Sequence, residues 1–366
     1  MKAKAPRFAR RLLLPVVVTF VAFLLAACKG SGEGSGGEKA NATTGDVSLN
    51  GAGATFPYPL YSKWMSEYNK QNPNVKINYQ SIGSGGGIRQ ILAGTVDFGA
   101  SDAPMSDDEM KKAPHALHHI PATLGGVAIA YNLEGVKDLK LSSEALAGIY
   151  LGTITKWNDA KIAETNDGVT LPDQDITVAY RSDGSGTTAV FSDYLAKVSS
   201  EWKDKVGVGK SLKWPRGLGA KGNEGVTGQV KTTKGAIGYV ELAYAITSKL
   251  EVAALKNKSG EFLKPSIDAI TAAAAGEALP DSLTTSITDS PGKGAYPISS
   301  YSYLLAYEDT KDTTKGEALA KFMWWAIHDG QKLAADLHYA PLPDAVVKQV
   351  EARLKQLKSG EKKLLP

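Results

Sequence analysis

Three stretches of this 366-residue chain set glycine and hydroxyl side chains directly before an apolar pattern of helical spacing. The first is Gly51-Ala52-Gly53-Ala54-Thr55-Phe56-Pro57, followed by Leu60, Trp64 and Tyr68. The second is Ile82-Gly83-Ser84-Gly85-Gly86-Gly87, followed by Ile88, Ile91 and Leu92. The third runs Tyr180-Arg181-Ser182-Asp183-Gly184-Ser185-Gly186-Thr187-Thr188 and leads to Phe191 and Leu195. A helix N-terminus leaves backbone N–H groups unpaired and carries the positive end of the helix dipole. Glycine lets an anion come close to that backbone, and Ser and Thr add hydroxyl donors. Taken singly, such a loop is an ordinary cap or turn. Three in one chain, one of them holding Arg181, point to an oxyanion site. The guanidinium fork can hold two oxygens, and Asp183 is placed to orient it. A surface arginine in a turn is the alternative.

Asp102, in Val96-Asp97-Phe98-Gly99-Ala100-Ser101-Asp102-Ala103-Pro104, tests the idea. A carboxylate beside a bound anion repels it unless a proton lies between them. Phosphate still carries a proton at neutral pH and sulfate does not. An ionised Asp102 in a donor-rich pocket would therefore select a protonated oxyanion. A site built around a substrate OH can reject the analogue lacking it by about 10⁴–10⁵. A turn or helix cap is the plain reading of the same residue.

Other motifs fail on inspection. Gly209-Lys210-Ser211 ends like a phosphate-binding P-loop, but Asp204 stands where the upstream glycine is needed. Ser185 or Thr187 as the nucleophile of a phosphate-ester hydrolase lacks an evident histidine base. Ser200-Glu201-Trp202-Lys203 lacks the partner motifs of an S-x-x-K enzyme. His115, His118 and His119 show no cluster of further ligands, so no metal and no cofactor are expected. Trp324 and Trp325, with Phe322, read as packing for a core-facing helix.

The elements that must hold these loops alternate between strand and helix, which predicts an α/β fold. Strands are expected at 75–81, 96–100, 126–131, 176–180 and 236–240, with an alternating run at 296–307. Helices are expected at 88–93, 142–151 with Ser142 as N-cap, 188–197, 266–275, 316–328 and 345–358.

Residues 1–27 read as an export signal: a basic head (Lys2, Lys4, Arg7, Arg10, Arg11), the apolar run Leu12–Phe23, and a small-residue end before Cys28. Cys28 sits where a lipoprotein carries its acylated cysteine. Residues 28–46 are Gly/Ser/Glu/Lys-rich and read as a flexible tether to a membrane surface. The single cysteine excludes an internal disulfide and multi-thiolate metal sites. No second apolar stretch approaches the ~18 residues of a membrane span. Hydrophobic residues make up 43% and charged residues 22%, a globular composition with ample material for a core. The chain has 42 Lys+Arg and 38 Asp+Glu. Five of the basic residues lie in 1–27, so the remainder has 37 against 38, a net charge of −1. No excess of cations remains to track a nucleic-acid backbone, so any anion must be held by a local site.

The three loops, the Val96–Pro104 segment, Trp157-Asn158-Asp159, Gly235–Glu241 and Tyr339–Pro343 together resemble the phosphate-binding protein of the bacterial high-affinity phosphate (Pst) ABC transporter. The likeness runs from about Leu49 to the C-terminus. It implies a two-lobed periplasmic solute-binding fold of type II, each lobe a mixed sheet flanked by helices. The expected lobes are 47–125 plus 296–366, and 126–295. It also implies one inorganic phosphate between the lobes, with no catalysis. Thr55 and Phe56 would offer backbone N–H groups, and Thr55 and Ser84 their hydroxyls. Asp102 would accept the phosphate proton. Arg181, oriented by Asp183, would supply the charge, and Ser185, Gly186 and Thr187 further donors. The partners implied are ABC permease subunits, with an ATPase on the far side of the membrane, for a monomer. The lipid anchor at Cys28 and the long tether depart from the family's short soluble N-terminus and bear on attachment, not on the pocket. A binder of sulfate or molybdate remains the alternative that Asp102 would decide.

Overall fold

The computed structural model describes residues 45–366. The signal (1–27), Cys28 and all but the end of the tether lie outside the described residues. One nine-stranded sheet runs through the molecule. In chain order its strands are β1 (Val47–Gly53), β2 (Val75–Ser81), β3 (Phe98–Ser101), β4 (Leu117–Tyr131), β5 (Thr177–Arg181), β6 (Leu218–Ala220), β7 (Ala236–Glu241), β8 (Glu251–Val252) and β9 (Ser299–Tyr307). Their hydrogen-bonded order is β2-β1-β3-β9-β4-β7-β5-β6, with β8 also paired to β4. Four helices matter for the site: α1 (Tyr58–Gln71), α2 (Ser84–Leu92), α3 (Gly186–Val198) and α4 (Gly222–Thr232). The expected α/β alternation is present.

β4 joins the two ends of this sheet. It pairs antiparallel with β9 over Leu117–Gly126, then with β7 over Val127–Tyr131. All fifteen of its residues are buried. On either side the strands pair in parallel, β1 with β2 and β3, and β5 with β6 and β7. Parallel strands need crossover helices, which cover both faces and explain the long apolar runs. β2 by contrast stands at an edge and alternates, burying Val75 while Lys76 and Asn78 face solvent.

α1 starts at Tyr58 because prolines stand in and just before its first turn, where a missing N–H costs nothing. It buries Leu60, Tyr61, Trp64 and Tyr68 at helical spacing. The Trp64 indole N–H donates to the Gly330 carbonyl over 2.7 Å. The expected cap at Ser142 is present, its oxygen accepting the Ala145 N–H over 3.1 Å. Trp325 and Phe322 pack edge-on against Tyr68, as expected of a core-facing helix at Thr313–Ile327.

Several boundaries differ from the sequence reading. β4 begins at Leu117, well before the expected 126, because pairing with β9 carries the strand through His118, His119 and Pro121. β6, β8 and α4 were not expected. α2 opens at Ser84 although its first turn holds three glycines, poor helix formers. Packing requires them: a Cβ on Gly87 would lie 2.5 Å from the Gly53 Cα and 3.0 Å from the Ala52 carbonyl carbon. α2 therefore lies on β1 at backbone contact. Gly87→Ala should cost about 2–3 kcal/mol through overpacking. A urea titration should show a lower midpoint at unchanged slope. An unchanged midpoint would mean that α2 can lift off β1.

Candidate oxyanion-binding site

The loops leaving the carboxyl ends of β1, β2, β3 and β5 converge. Crevices outside such strand ends are where open α/β sheets bind ligands. Thr55 and Phe56 follow β1, Ser84 opens α2 after β2, Asp102 follows β3, and Arg181 ends β5 ahead of Ser185–Thr187. Every one of these residues is buried, and those other than Gly186 are no more than 3% exposed.

The contacts between them are direct. The Ser84 hydroxyl oxygen accepts the Gly186 N–H over 3.1 Å and the Asp102 N–H over 3.3 Å, and lies 3.5 Å from Asp102 Oδ2. Arg181 donates from Nε and Nη2 to the two oxygens of Asp183, over 2.7 and 2.6 Å. Its third arm, Nη1, donates to Thr187 Oγ1 over 3.3 Å. The Arg181 side chain is fully buried. Burial opposes its charge, but the hydrogen bond and charge of Asp183 outweigh that and raise its pKa. Burial likewise pushes Asp183 up, while Arg181 and the Gly222 N–H pull its carboxyl below the ordinary range. Tyr239, stacked on Phe191 at 4.4 Å between centroids, accepts the Arg181 backbone N–H over 3.0 Å and so fixes the root of the loop. Ser185 caps α3, its oxygen accepting the Thr188 N–H over 3.0 Å.

The halves of the sheet touch across this cluster. The Gly85 N–H donates to the Gly184 carbonyl over 2.9 Å, and Tyr244 donates to the Thr55 carbonyl over 2.6 Å. Gly186 must be glycine here, since a Cβ would sit 2.7 Å from the Asp102 Cβ. At the rim, Lys210 pairs with Glu109 over 2.8 Å and donates to the Pro104 carbonyl over 3.0 Å. The lysine of the failed P-loop motif thus ties the two halves together.

A model of the PBP superfamily domain matches residues 38–329. A phosphate-binding protein PstS from Xylella fastidiosa is 49% identical over 313 residues, 84% of this chain and 85% of that protein. One from Methanocaldococcus jannaschii is 38% identical over 92% of this chain and 91% of its own length. The chain belongs to the PstS phosphate-binding protein family. Its fold is also that of a solved high-affinity periplasmic phosphate-binding protein (PfluDING) bound with phosphate, at TM-score 0.68 and 23% identity, covering 84% of this chain and 93% of that one. That is the two-lobed type II fold expected from the sequence.

In this PstS family member the predicted residues Thr55, Phe56, Ser84, Asp102, Arg181, Asp183, Ser185, Gly186 and Thr187 form one contiguous cluster. The sequence reading missed four residues that belong with them. Asn223, in the first turn of α4, donates from Nδ2 to Thr55 Oγ1 over 2.7 Å and to Thr187 Oγ1 over 3.2 Å. Its signal was a fourth glycine-led helix start, Gly222-Asn223. Ser302 on β9 donates to Asp102 Oδ1 over 2.9 Å, and nothing in its neighbouring sequence marks it. Glu241 and Tyr339 lie within segments used for the resemblance, but without a role. Tyr339 donates to the Phe56 carbonyl over 2.7 Å and lies 3.1 Å from the Glu241 carboxyl. Burial pushes that carboxyl well above its ordinary range.

Two of the three clustered histidines serve the structure. His119 accepts the Met105 N–H over 2.9 Å, and burial lowers its pKa to about 4. His118 faces Arg353 and Glu308. Among the described residues no group of three or more His, Cys, Asp or Glu is arranged to hold a metal.

Asp102 is the acceptor in a shell of donors. Burial pushes its carboxyl up to about 7, against the Ser302 hydrogen bond, the Arg181 charge and the Ser84 hydroxyl, which pull it down. In the unfolded chain the same group titrates near 4. Between these values the folded state holds the extra proton, so stability falls as pH rises, and the cost is complete above about 7. Asp102→Asn, which removes the charge and keeps the shape, should raise ligand-free stability at pH 8 by up to about 4 kcal/mol. At pH 4 it should change little. Thermal unfolding across that range checks this; an equal shift at both pH values would contradict a buried, titrating carboxyl.

Proposed function

We propose that the chain is the extracytoplasmic binding component of an ABC importer for inorganic phosphate. One phosphate is held between two lobes and delivered to the membrane permease. The observation that carries this reading is the composition of the buried cluster. Backbone N–H groups, four hydroxyls and a paired guanidinium surround one carboxyl. Thr55, Phe56, Ser84, Asp102, Arg181, Ser185, Gly186 and Thr187 are the proposed phosphate contacts, with Asp183 orienting Arg181. The curated relatives are named for phosphate binding.

The proposed lobes are 47–125 plus 296–366, and 126–295. The change of partner along β4 at Gly126/Val127 supports that division. Contacts to phosphate from both sides make the closed arrangement bind better than an open one, and only that difference lets a ligand shift the population. The reading is of binding without catalysis. Ser185 spends its oxygen on a helix cap, and none of its hydrogen-bond partners among the described residues is a histidine. Acylation of Cys28, a tether over 28–46 and a monomeric state complete the proposal. Among the described residues no helix is long and apolar enough to cross a membrane.

The deciding experiment is calorimetric titration of the chain, stripped of ligand by unfolding and refolding. One-to-one phosphate binding is expected, and saturation with sulfate but not phosphate would sink the reading. The pH dependence follows from the proton that must lie between Asp102 and the anion. Phosphate brings that proton, so its affinity should hold above pH 7. Sulfate depends on a proton on Asp102, which is lost above about 7. The preference for phosphate should therefore widen by about tenfold per pH unit above 7. Asp102→Asn should flatten this slope.

A further inference from the structure

We infer that Asn223 is a positioning residue that turns two ambivalent threonine hydroxyls into obligate donors toward the bound oxyanion. The inference rests on the phosphate reading of the site and adds a determinant of its polarity.

A hydroxyl has one hydrogen to give and two lone pairs to receive. At Thr55 both lone pairs are taken by Asn223, by its backbone N–H over 3.2 Å and its side-chain Nδ2 over 2.7 Å. At Thr187 one is taken by Asn223 Nδ2 over 3.2 Å and the other by Arg181 Nη1 over 3.3 Å. Each hydroxyl is left with only its hydrogen, and among the described residues neither hydrogen meets an acceptor. An oxyanion is the ligand class that such hydrogens serve. The orientation of the Asn223 amide is itself settled. Its Oδ1 accepts the Glu241 backbone N–H over 2.9 Å, so the NH₂ end must face the threonines. Its carbonyl accepts the Thr227 hydroxyl over 2.8 Å, and the residue is fully buried.

The placement also spans the cleft. Thr55 follows β1 and Thr187 opens α3, so one amide holds a hydroxyl from each half of the sheet. Separating the halves would break the Thr55 contacts and free that hydroxyl to rotate. The donors would then be fully aimed only when the halves meet.

The test is a double-mutant cycle on the full, ligand-stripped chain, titrated with inorganic phosphate by calorimetry. Asn223→Ala should weaken binding by about 10- to 100-fold, the worth of roughly one hydrogen bond to a charged group. In a Thr55→Val/Thr187→Val background the same change should cost no more than about threefold. Wild-type affinity in Asn223→Ala would overturn the inference. So would an undiminished loss in the valine background, because Asn223 would then act only as a lobe contact. Thermal melts of the ligand-free variants separate misfolding from weak binding. If Asn223→Ala does not fold, Asn223→Leu, of nearly the same size and uncharged, runs the same cycle with the same criterion. Failure of the wild type to bind phosphate would instead remove the underlying functional reading.

Discussion

Burying one carboxyl group among donors is the constraint around which the site is organised. Asp102 lies 1% exposed behind Ser84 and Gly186. A buried charge is costly unless it is paired and hydrogen-bonded. Asp102 receives a hydroxyl from Ser302 on one oxygen and faces Ser84 on the other, yet burial still dominates its titration. A proton at this point is therefore wanted by the protein as much as by the ligand. A ligand that brings a proton and presents three other oxygens to the donors relieves the cost. A ligand without one leaves it in place.

The positive side of the site is handled differently. Arg181 is paired with Asp183 through two hydrogen bonds, so the guanidinium enters the core as a nearly neutral unit with its third arm turned to Thr187. Asp183 also accepts the Gly222 N–H, which ties the arginine loop to the start of α4 and hence to Asn223. Most of the remaining polar groups are neutral dipoles fixed by backbone geometry. Preorganised dipoles of this kind act strongly in a water-excluded site without reorganisation at the moment of binding. The near-neutral charge of the chain beyond residue 27 is consistent with recognition by such local dipoles.

The three main loops were legible because each obeys a local rule: small residues, then a hydroxyl, then apolar residues at helical spacing. Asp102 was singled out by the charge logic of a proton between two anions, and it lies in the same buried cluster as the loops. Asn223, Ser302 and Tyr339 were not, because their roles exist only after the chain has folded. Ser302 reaches Asp102 across 200 positions, and Tyr339 reaches Phe56 across 283. The fold shows the same division. Caps such as Ser142 follow local hydrogen-bonding rules. The helical glycines of α2 follow instead from contact with β1, and the histidine-bearing half of β4 from pairing with β9.

Glycine also explains why the cleft can close over so small a ligand. Gly85 and Gly184 meet backbone to backbone, and Gly186 packs on the Asp102 side chain with no room for a Cβ. A Cβ on Gly186 would lie 2.7 Å from the Asp102 Cβ, and one on Gly85 or Gly184 3.1–3.2 Å from the facing Cα, so side chains here would push the halves apart from their present contact. Donors from the two halves would then be shifted relative to one another. The glycine loops thus serve closure as well as anion approach. A single sequence feature meets both demands because each requires the backbone itself, not a side chain, at the surface.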